Sequence, residues 1–223
     1  MITVSKEDYL KSILQAESEG EEVISARLAD LLKVSPPAVT MALRRLKKDS
    51  LVRVHSDGMI QLTSAGRKIA RKLALRHHLI ERMLSELFGM EWWKVHDEAE
   101  RLEHAVSPDF EAKLLARLGR SRPCPHGNLS ELESPASRRR RGLVLLADAA
   151  PSQTYTVSGI YERDRRLLEF LEARGIRPGA QVRLLERNYD QTLTLSTSSG
   201  NVSLGPAAAE RVWLAPANPR PKR

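Results

Sequence analysis

The chain has 223 residues, 41% hydrophobic, 29% charged and only 4% aromatic, which suits one large domain or two to three small ones with real apolar cores. Lys and Arg number 36 against 28 Asp and Glu, a net charge of +8, and residues 73–118 run against that trend with 6 basic and 9 acidic side chains. No run approaches the ~20 apolar residues of a membrane span, the start MITVSKEDYLKSIL lacks an apolar signal core, and the single Cys124 excludes both a disulfide framework and an all-cysteine metal site. A cytoplasmic protein with no membrane partner is expected. A basic chain with one acidic stretch points to a polyanion partner plus a separate site for something cationic.

In chain order, residues 5–17 place Tyr9, Leu10, Ile13 and Leu14 on one side of a helix. Ser25 is expected to cap a second helix carrying Leu28, Leu31 and Leu32. Val34-Ser35-Pro36-Pro37 reads as a turn, and residues 37–48 as a third helix with Val39, Leu43 and Leu46 inward. Two short alternating runs, Leu51–His55 and Met59–Leu62, flank Asp57-Gly58 and predict a β-hairpin. Helix, helix, helix, hairpin over residues 1–72 is a winged helix-turn-helix. Long helices over 63–88 and 91–106 follow, with apolar stripes at Ile80, Met83, Leu84, Leu87 and at Val95, Ala99, Leu102, Val106. Such stripes need a partner surface, so residues 73–120 are expected to dimerise. Residues 121–150, with Arg138 to Arg141, read as a linker with a short strand near 142–147. Residues 151–216 turn mainly β around one helix, Arg165–Ala173, as in a small SH3-like barrel. Residues 217–223 read as a loose tail. The fold class is α+β.

The second helix of a helix-turn-helix pair enters the major groove, N-terminal residues toward the bases. That places Ser35, Pro37, Ala38, Thr40, Met41, Arg44 and Arg45 near a duplex, with Ser35 and the helix N-terminus on phosphate. Ala38 and Thr40 suit thymine methyls, whereas Arg45 and Lys48 suit phosphates.

Four of the six histidines, His77, His78, His96 and His104, fall in the acidic segment. His77 and Glu81 are one helical turn apart. On the second helix, His96, Glu100, Glu103 and His104 are spaced by four, three and one and share an arc of about 100°, one face. Imidazoles and carboxylates converging from adjacent helices build divalent-metal sites. With no thiolate available, such ligands suit Mn(II) or Fe(II), and Zn(II), Ni(II), Co(II) or Cd(II) would substitute. His55 in the wing and His126 in the linker are not expected to be ligands.

RHHLIERML (76–84) and KVHDEAERLEHAVS (94–107), with the winged helix before them and the barrel after, resemble the diphtheria-toxin-repressor family of metal-dependent regulators, from about Glu7 to Leu214. The resemblance implies a homodimer on a palindromic operator and two metal sites per subunit. The primary site would use Asp8, Glu100, Glu103 and His104, and the ancillary site His77, Glu81 and His96 with an acid from the FeoA-like C-terminal domain, Asp164 (or Glu162). In the iron-sensing branch the positions of Asp8 and Glu100 resemble a methionine and a cysteine. Two hard oxygens here favour manganese. Lys11 stands where manganese sensors lacking the barrel have a glutamate, Leu167 where the iron branch has a second barrel ligand, and CPHGN continues as LSE instead of a proline-rich ending. The expected function is therefore a regulator and not an enzyme. The rival readings are a winged-helix regulator of a small organic ligand and a metal-dependent hydrolase.

Overall fold

The computed structural model describes residues 4–129 and 131–217, so residues 218–223 of the expected tail lie outside it. Within it, Tyr9, Leu10, Ile13 and Leu14 lie buried on α1 (Val4–Glu19). This helix packs with α2 (Ser25–Leu32) and α3 (Pro36–Lys48), and the two-stranded wing β1 (Val52–Val54) and β2 (Ile60–Leu62) closes the layer. Helix α2 begins one residue earlier than its serine suggests. The Ile24 carbonyl accepts the first helical bond from Leu28 N, so Ser25 is already helical and caps nothing. Wing pairing sets Val52 opposite Leu62 and Val54 opposite Ile60, which turns Val52, Ile60 and Leu62 inward onto Leu28, Val39 and Leu46.

Helix α4 (Ser64–Arg82) starts against the end of the α3–β1 connection. A Cβ at Gly66 would stand 2.0 Å from the Leu51 carbonyl oxygen, so only glycine fits there. The chain continues through a π-turn (Met83–Leu87) into α5 (Val95–Leu102) and then α6 (Pro108–Leu118). The expected helix over 91–106 is shorter at both ends: Ala105 N bonds to Leu102 O in a turn, and Glu103 and His104 lie in that turn. Ser107 caps α6 by accepting from Phe110 N at 3.2 Å, with Pro108 in the first turn. Of the described residues, one compact unit comprises 4–80, 102–120 and 131–135.

The other unit comprises, of the described residues, 81–101, 121–129 and 136–217. Within the stretch read as linker lie α7 (Pro135–Arg140) and β3 (Val144–Leu145). Then come β4 (Thr154–Ile160), α8 (Arg165–Glu172), β5 (Gln181–Arg187), β6 (Leu193–Thr197), β7 (Gly200–Leu204), α9 (Pro206–Ala209) and β8 (Val212–Pro216). The strands form one antiparallel sheet in the order β3-β8-β4-β5-β6-β7. Alternation decides which face is core: Val182 and Leu184 are buried while Gln181 and Arg183 are exposed. With Leu168 and Leu171 from α8 they close an apolar core of their own. Helix, wing, helical segment and small C-terminal sheet thus follow in the order the sequence predicts.

Candidate metal centres and nucleic-acid face

In the first unit, Asp8, Glu103 and His104 offer ligand atoms that all lie within 4.8 Å of one another. Asp8 comes from α1, and the other two from the turn after α5. His104 Nε2 is 2.9 Å from Asp8 Oδ1 and 3.7 Å from Glu103 Oε1. Its Nδ1 lies 3.3 Å from Glu7 Oε2. A carboxylate that takes the hydrogen bond of one ring nitrogen orients the other nitrogen for a metal. Glu7 is therefore a supporting residue that sequence reasoning missed, although its place one residue before Asp8 was visible. Glu103 is nearly buried, and both its oxygens are engaged: Oε1 accepts from Lys11 Nζ at 2.5 Å and Oε2 is 2.7 Å from His77 Nδ1. Burial alone would raise its pKa, but the His77 hydrogen bond and the Lys11 charge outweigh it and lower the value to about 2. Burial raises the Asp8 carboxyl above its ordinary value, against the opposing pull of His104 and Lys11. Two carboxylates and one imidazole make a hard-to-borderline donor set that fits a divalent ion.

Glu100 is not in that group. Glu100 lies on α5, which ends at Leu102 before Glu103 and His104, and its Oε1 sits 3.6 Å from His96 Nε2. His77, one turn before Glu81 on α4, is bonded to Glu103 as above.

The second unit holds a fully buried cluster. Glu81, His96 and Glu162 offer mutually close ligand atoms, and so do Glu81, Cys124 and Glu162. His126 Nδ1 lies 3.4 Å from Glu81 Oε1 and 3.7 Å from Glu162 Oε2, and Cys124 Sγ is 3.7 Å from each of His126 Nδ1 and Glu162 Oε2. His96 Nδ1 is 3.1 Å from Glu81 Oε1. These distances bring His126 and the Cys124 sulfur into the cluster, where neither was expected. Burial and the Glu81 and Glu162 charges push the Cys124 thiol well above its ordinary pKa. The turn Cys124-Pro125-His126-Gly127-Asn128 brings both residues in by adding to β4. Ile160 N donates to His126 O at 2.9 Å, and Asn128 Nδ2 donates to Ile160 O at 3.0 Å and to Glu162 Oε2 at 2.7 Å. Gly127 has φ +82°, and a Cβ there would stand 2.1 Å from the Ser158 carbonyl oxygen. Asp164 has different work: it caps α8, accepting from Leu167 N at 3.1 Å. Glu162 is the barrel acid that enters the cluster. Two buried carboxylates beside two imidazoles and a thiol also fit a divalent ion, a softer one than the first group would favour.

The face of α3 is exposed at Ser35, Pro37, Ala38, Thr40, Met41, Arg44, Arg45 and Lys48, and buried at Val39, Leu43 and Leu46. Ser35 sits at the N-cap with no side-chain capping bond. Thr40 Oγ1 donates to Pro36 O at 3.1 Å, which turns its hydroxyl to the helix backbone and leaves the methyl as its outward group. A cleft of about 370 Å³ between α1, α2 and α3 is lined by Asp8 together with Ala38, Met41 and Arg45. A second cleft, of about 650 Å³, lies beside the wing and is lined by Lys47, Arg53, His55, Thr63 and Ser64 with no acid among its walls. Arg53 and His55 were not expected at this face; alternation along β1 was the available signal.

Residues 1–59 match the family described as "Iron dependent repressor, N-terminal DNA binding domain", residues 63–130 match "Iron dependent repressor, metal binding and dimerisation domain", and residues 144–216 match the FeoA domain. The diphtheria toxin repressor of Corynebacterium diphtheriae is 33% identical over 207 residues, spanning 89% of this chain and 91% of that protein. The chain belongs to the iron-dependent repressor family. Its function is accordingly that of a metal-dependent, DNA-binding transcriptional regulator of metal homeostasis. The iron-dependent repressor IdeR of Mycobacterium tuberculosis is 38% identical over 122 residues, 55% of this chain and 53% of that protein. Among solved structures, a manganese-dependent transcriptional repressor in complex with manganese superposes with TM-score 0.81 at 31% identity, covering 95% of this chain and 99% of that one. The repressor ScaR with bound Zn2+ gives TM-score 0.78 at 28% identity, with 95% and 99% covered. Among the described residues of this family member, no helix is long and apolar enough to cross a membrane.

Proposed function

We propose that this chain is a homodimeric, manganese-responsive repressor of the cytoplasm that binds a palindromic operator and acts by binding, without turnover. Asp8, Glu103 and His104 hold the sensed ion, with Fe(II) as the second candidate. The observation that carries the reading is their convergence: one ligand belongs to α1, beside the recognition helix, and two belong to the segment that matches the dimerisation family. When bound, a divalent ion supplies a positive centre that neutralises the facing carboxylates.

The protein's own residues do the rest. Glu7 accepts from His104 Nδ1 and so directs Nε2 at Asp8 and Glu103. His77 and Lys11 hold Glu103 ionised and aimed. Asp8 shares its cleft with Ala38, Met41 and Arg45, so ordering α1 restricts the recognition helix directly. In a dimer, fixing α1 fixes the separation of two recognition helices, which must sit about 34–36 Å apart, or a multiple, to read a palindrome. Metal and operator then each raise the affinity for the other, typically by about 1–3 kcal/mol. The buried set Glu81, His96, Cys124, His126 and Glu162 would hold a second ion that consolidates the C-terminal unit. Manganese is favoured at the first site because two of its three donors are carboxylate oxygens.

Fluorescence anisotropy with the gene's own upstream DNA, at fixed salt, tests the reading. Salt must stay constant because phosphate contacts alone respond to it strongly. Mn(II) should tighten binding between roughly fivefold and 150-fold, reversibly with chelator. Thr40→Glu should abolish binding at an unchanged melting temperature. Equal affinity with and without metal would overturn the metal-gated reading, and a Thr40→Glu variant that still binds would overturn the placement of α3.

A further inference from the structure

The Glu103 oxygen that faces His104 is the same oxygen that accepts the Lys11 ammonium: Oε1 is 3.7 Å from His104 Nε2 and 2.5 Å from Lys11 Nζ. Lys11 is almost completely buried, and so is Glu103, so this is an interior ion pair and not a solvated surface contact. Its two ends lie on α1 and on the turn after α5, the same two pieces of chain from which Asp8 and His104 come. We infer that Lys11 is a built-in cation that occupies part of the first metal site, ties α1 to Glu103 in the metal-free chain, and weakens metal affinity by competing for the Glu103 carboxylate. This rests on Asp8, Glu103 and His104 being the sensing site.

Two arguments give the direction. A divalent ion held by Glu103 must sit beside a fixed ammonium, and like charges in a poorly solvated interior repel far more than in water. The reach of the Lys11 charge to the neighbouring ligand is visible in its downward pull on the Asp8 carboxyl. The second argument concerns the metal-free state. A buried carboxylate without a cation is costly, and Lys11 removes much of that cost before any metal arrives. Both effects narrow the free-energy gap between empty and loaded forms. A sensor benefits, because a site that binds too tightly stays loaded at every metal level. The ammonium also adds a third positive charge to any site holding one divalent ion, which opposes a second ion on the same carboxylate. Lys11 is thus a positioning and affinity-setting residue. It is not a ligand.

The test uses the full-length dimer, stripped with chelator, and Mn(II) alone as the probe. Lys11→Met keeps length and removes charge. It should bind Mn(II) at the Glu103 site about tenfold more tightly by chelator competition. Its metal-free melting temperature should fall below wild type, and the rise on adding Mn(II) should be larger. Lys11→Arg should keep wild-type affinity, since the charge is retained. If Lys11→Met does not fold without metal, Lys11→Gln carries the same expectation with an amide still able to donate to Glu103. Unchanged or weaker Mn(II) binding in the uncharged variants overturns the inference. Glu103→Gln measured alongside separates two failures. If it weakens Mn(II) binding while Lys11→Met does not tighten it, only the role of Lys11 is lost. If Glu103→Gln has no effect, the sensing site itself is wrong and Lys11 falls with it.

Discussion

The two donor clusters use similar side chains but differ in how the chain assembles them and in how much water they see. Asp8 and His104 side chains are 36% and 22% exposed, and their cluster closes only when α1 meets a turn almost a hundred residues later. In the second unit every donor is buried, Glu81 and His126 completely, and three of the five, Cys124, His126 and Glu162, sit at the end of β4 or on the turn that pairs with it. The first arrangement suits an ion that comes and goes and whose arrival changes the order of α1. The second suits an ion that stays, because two buried carboxylates make the metal-free state expensive and binding energy there becomes folding energy. On the proposed reading, solvent access and chain separation, more than donor identity, divide the sensing site from the structural one.

Several substitutions sharpen or break this contrast. Gly127→Ala should have the largest effect on stability, and only through the buried cluster. Its Cβ would meet the Ser158 carbonyl oxygen at 2.1 Å in a left-handed conformation, so the turn carrying Cys124 and His126 cannot close. A loss of roughly 3 kcal/mol is expected in urea unfolding. Full stability would mean that the turn is not a structural clamp. Next in size is a paired comparison. Glu103→Gln should reduce the metal-induced tightening on operator to about none, a loss of roughly 1–3 kcal/mol of coupling. Glu162→Gln should leave the tightening intact at saturating Mn(II) while lowering the metal-loaded melting temperature. If the two variants exchange these phenotypes, the sensing and structural assignments are reversed.

Where the sequence was readable, and where it was not, follows the same contrast. The winged helix was legible because Val39, Leu43 and Leu46 repeat at helical spacing and Asp57-Gly58 marks the wing. Glu103 and His104 were recognisable as ligand types, but placing them with Glu100 on one helix did not anticipate that α5 stops at Leu102. Ser107-Pro108, a helix start five residues past that end, was the signal that the chain must turn between. Cys124 and His126 were hidden for another reason. Pro, Gly and Asn around them read as loop, and only the close backbone approach of Gly127 to β4 ties that loop to the end of the strand. Glu162 and Asp164 are two residues apart, and the choice between them was decided by local chemistry. Asp164 followed by a helix is an N-cap, and capping α8 commits its carboxylate.

A smaller effect probes the first cluster through its support. Glu7→Gln keeps the size of the side chain but weakens the acceptor for His104 Nδ1, so His104 loses orientation without losing its place. Supporting partners of this kind are worth about 10–100-fold in metal affinity, and the partly solvated position of Glu7 argues for the lower end. Mn(II) affinity should fall about tenfold by chelator competition while metal-free stability stays put. An unchanged affinity would show that packing alone orients the ring.

The smallest effect reads the second cluster by metal softness. Cys124→Ser replaces the only sulfur with an oxygen of similar size. The thiol is already held protonated by burial and by Glu81 and Glu162, so a metal that uses it must displace that proton. A soft ion such as Cd(II) gains enough from sulfur to do so, whereas Mn(II) gains little. Cd(II) affinity at the buried site should therefore drop several-fold in Cys124→Ser, with Mn(II) affinity and operator gating unchanged. Parallel losses for both ions would mean that Cys124 shapes the pocket without meeting the metal, and the buried site would then be one of oxygen and nitrogen alone, chemically closer to the sensing site than its sulfur suggests.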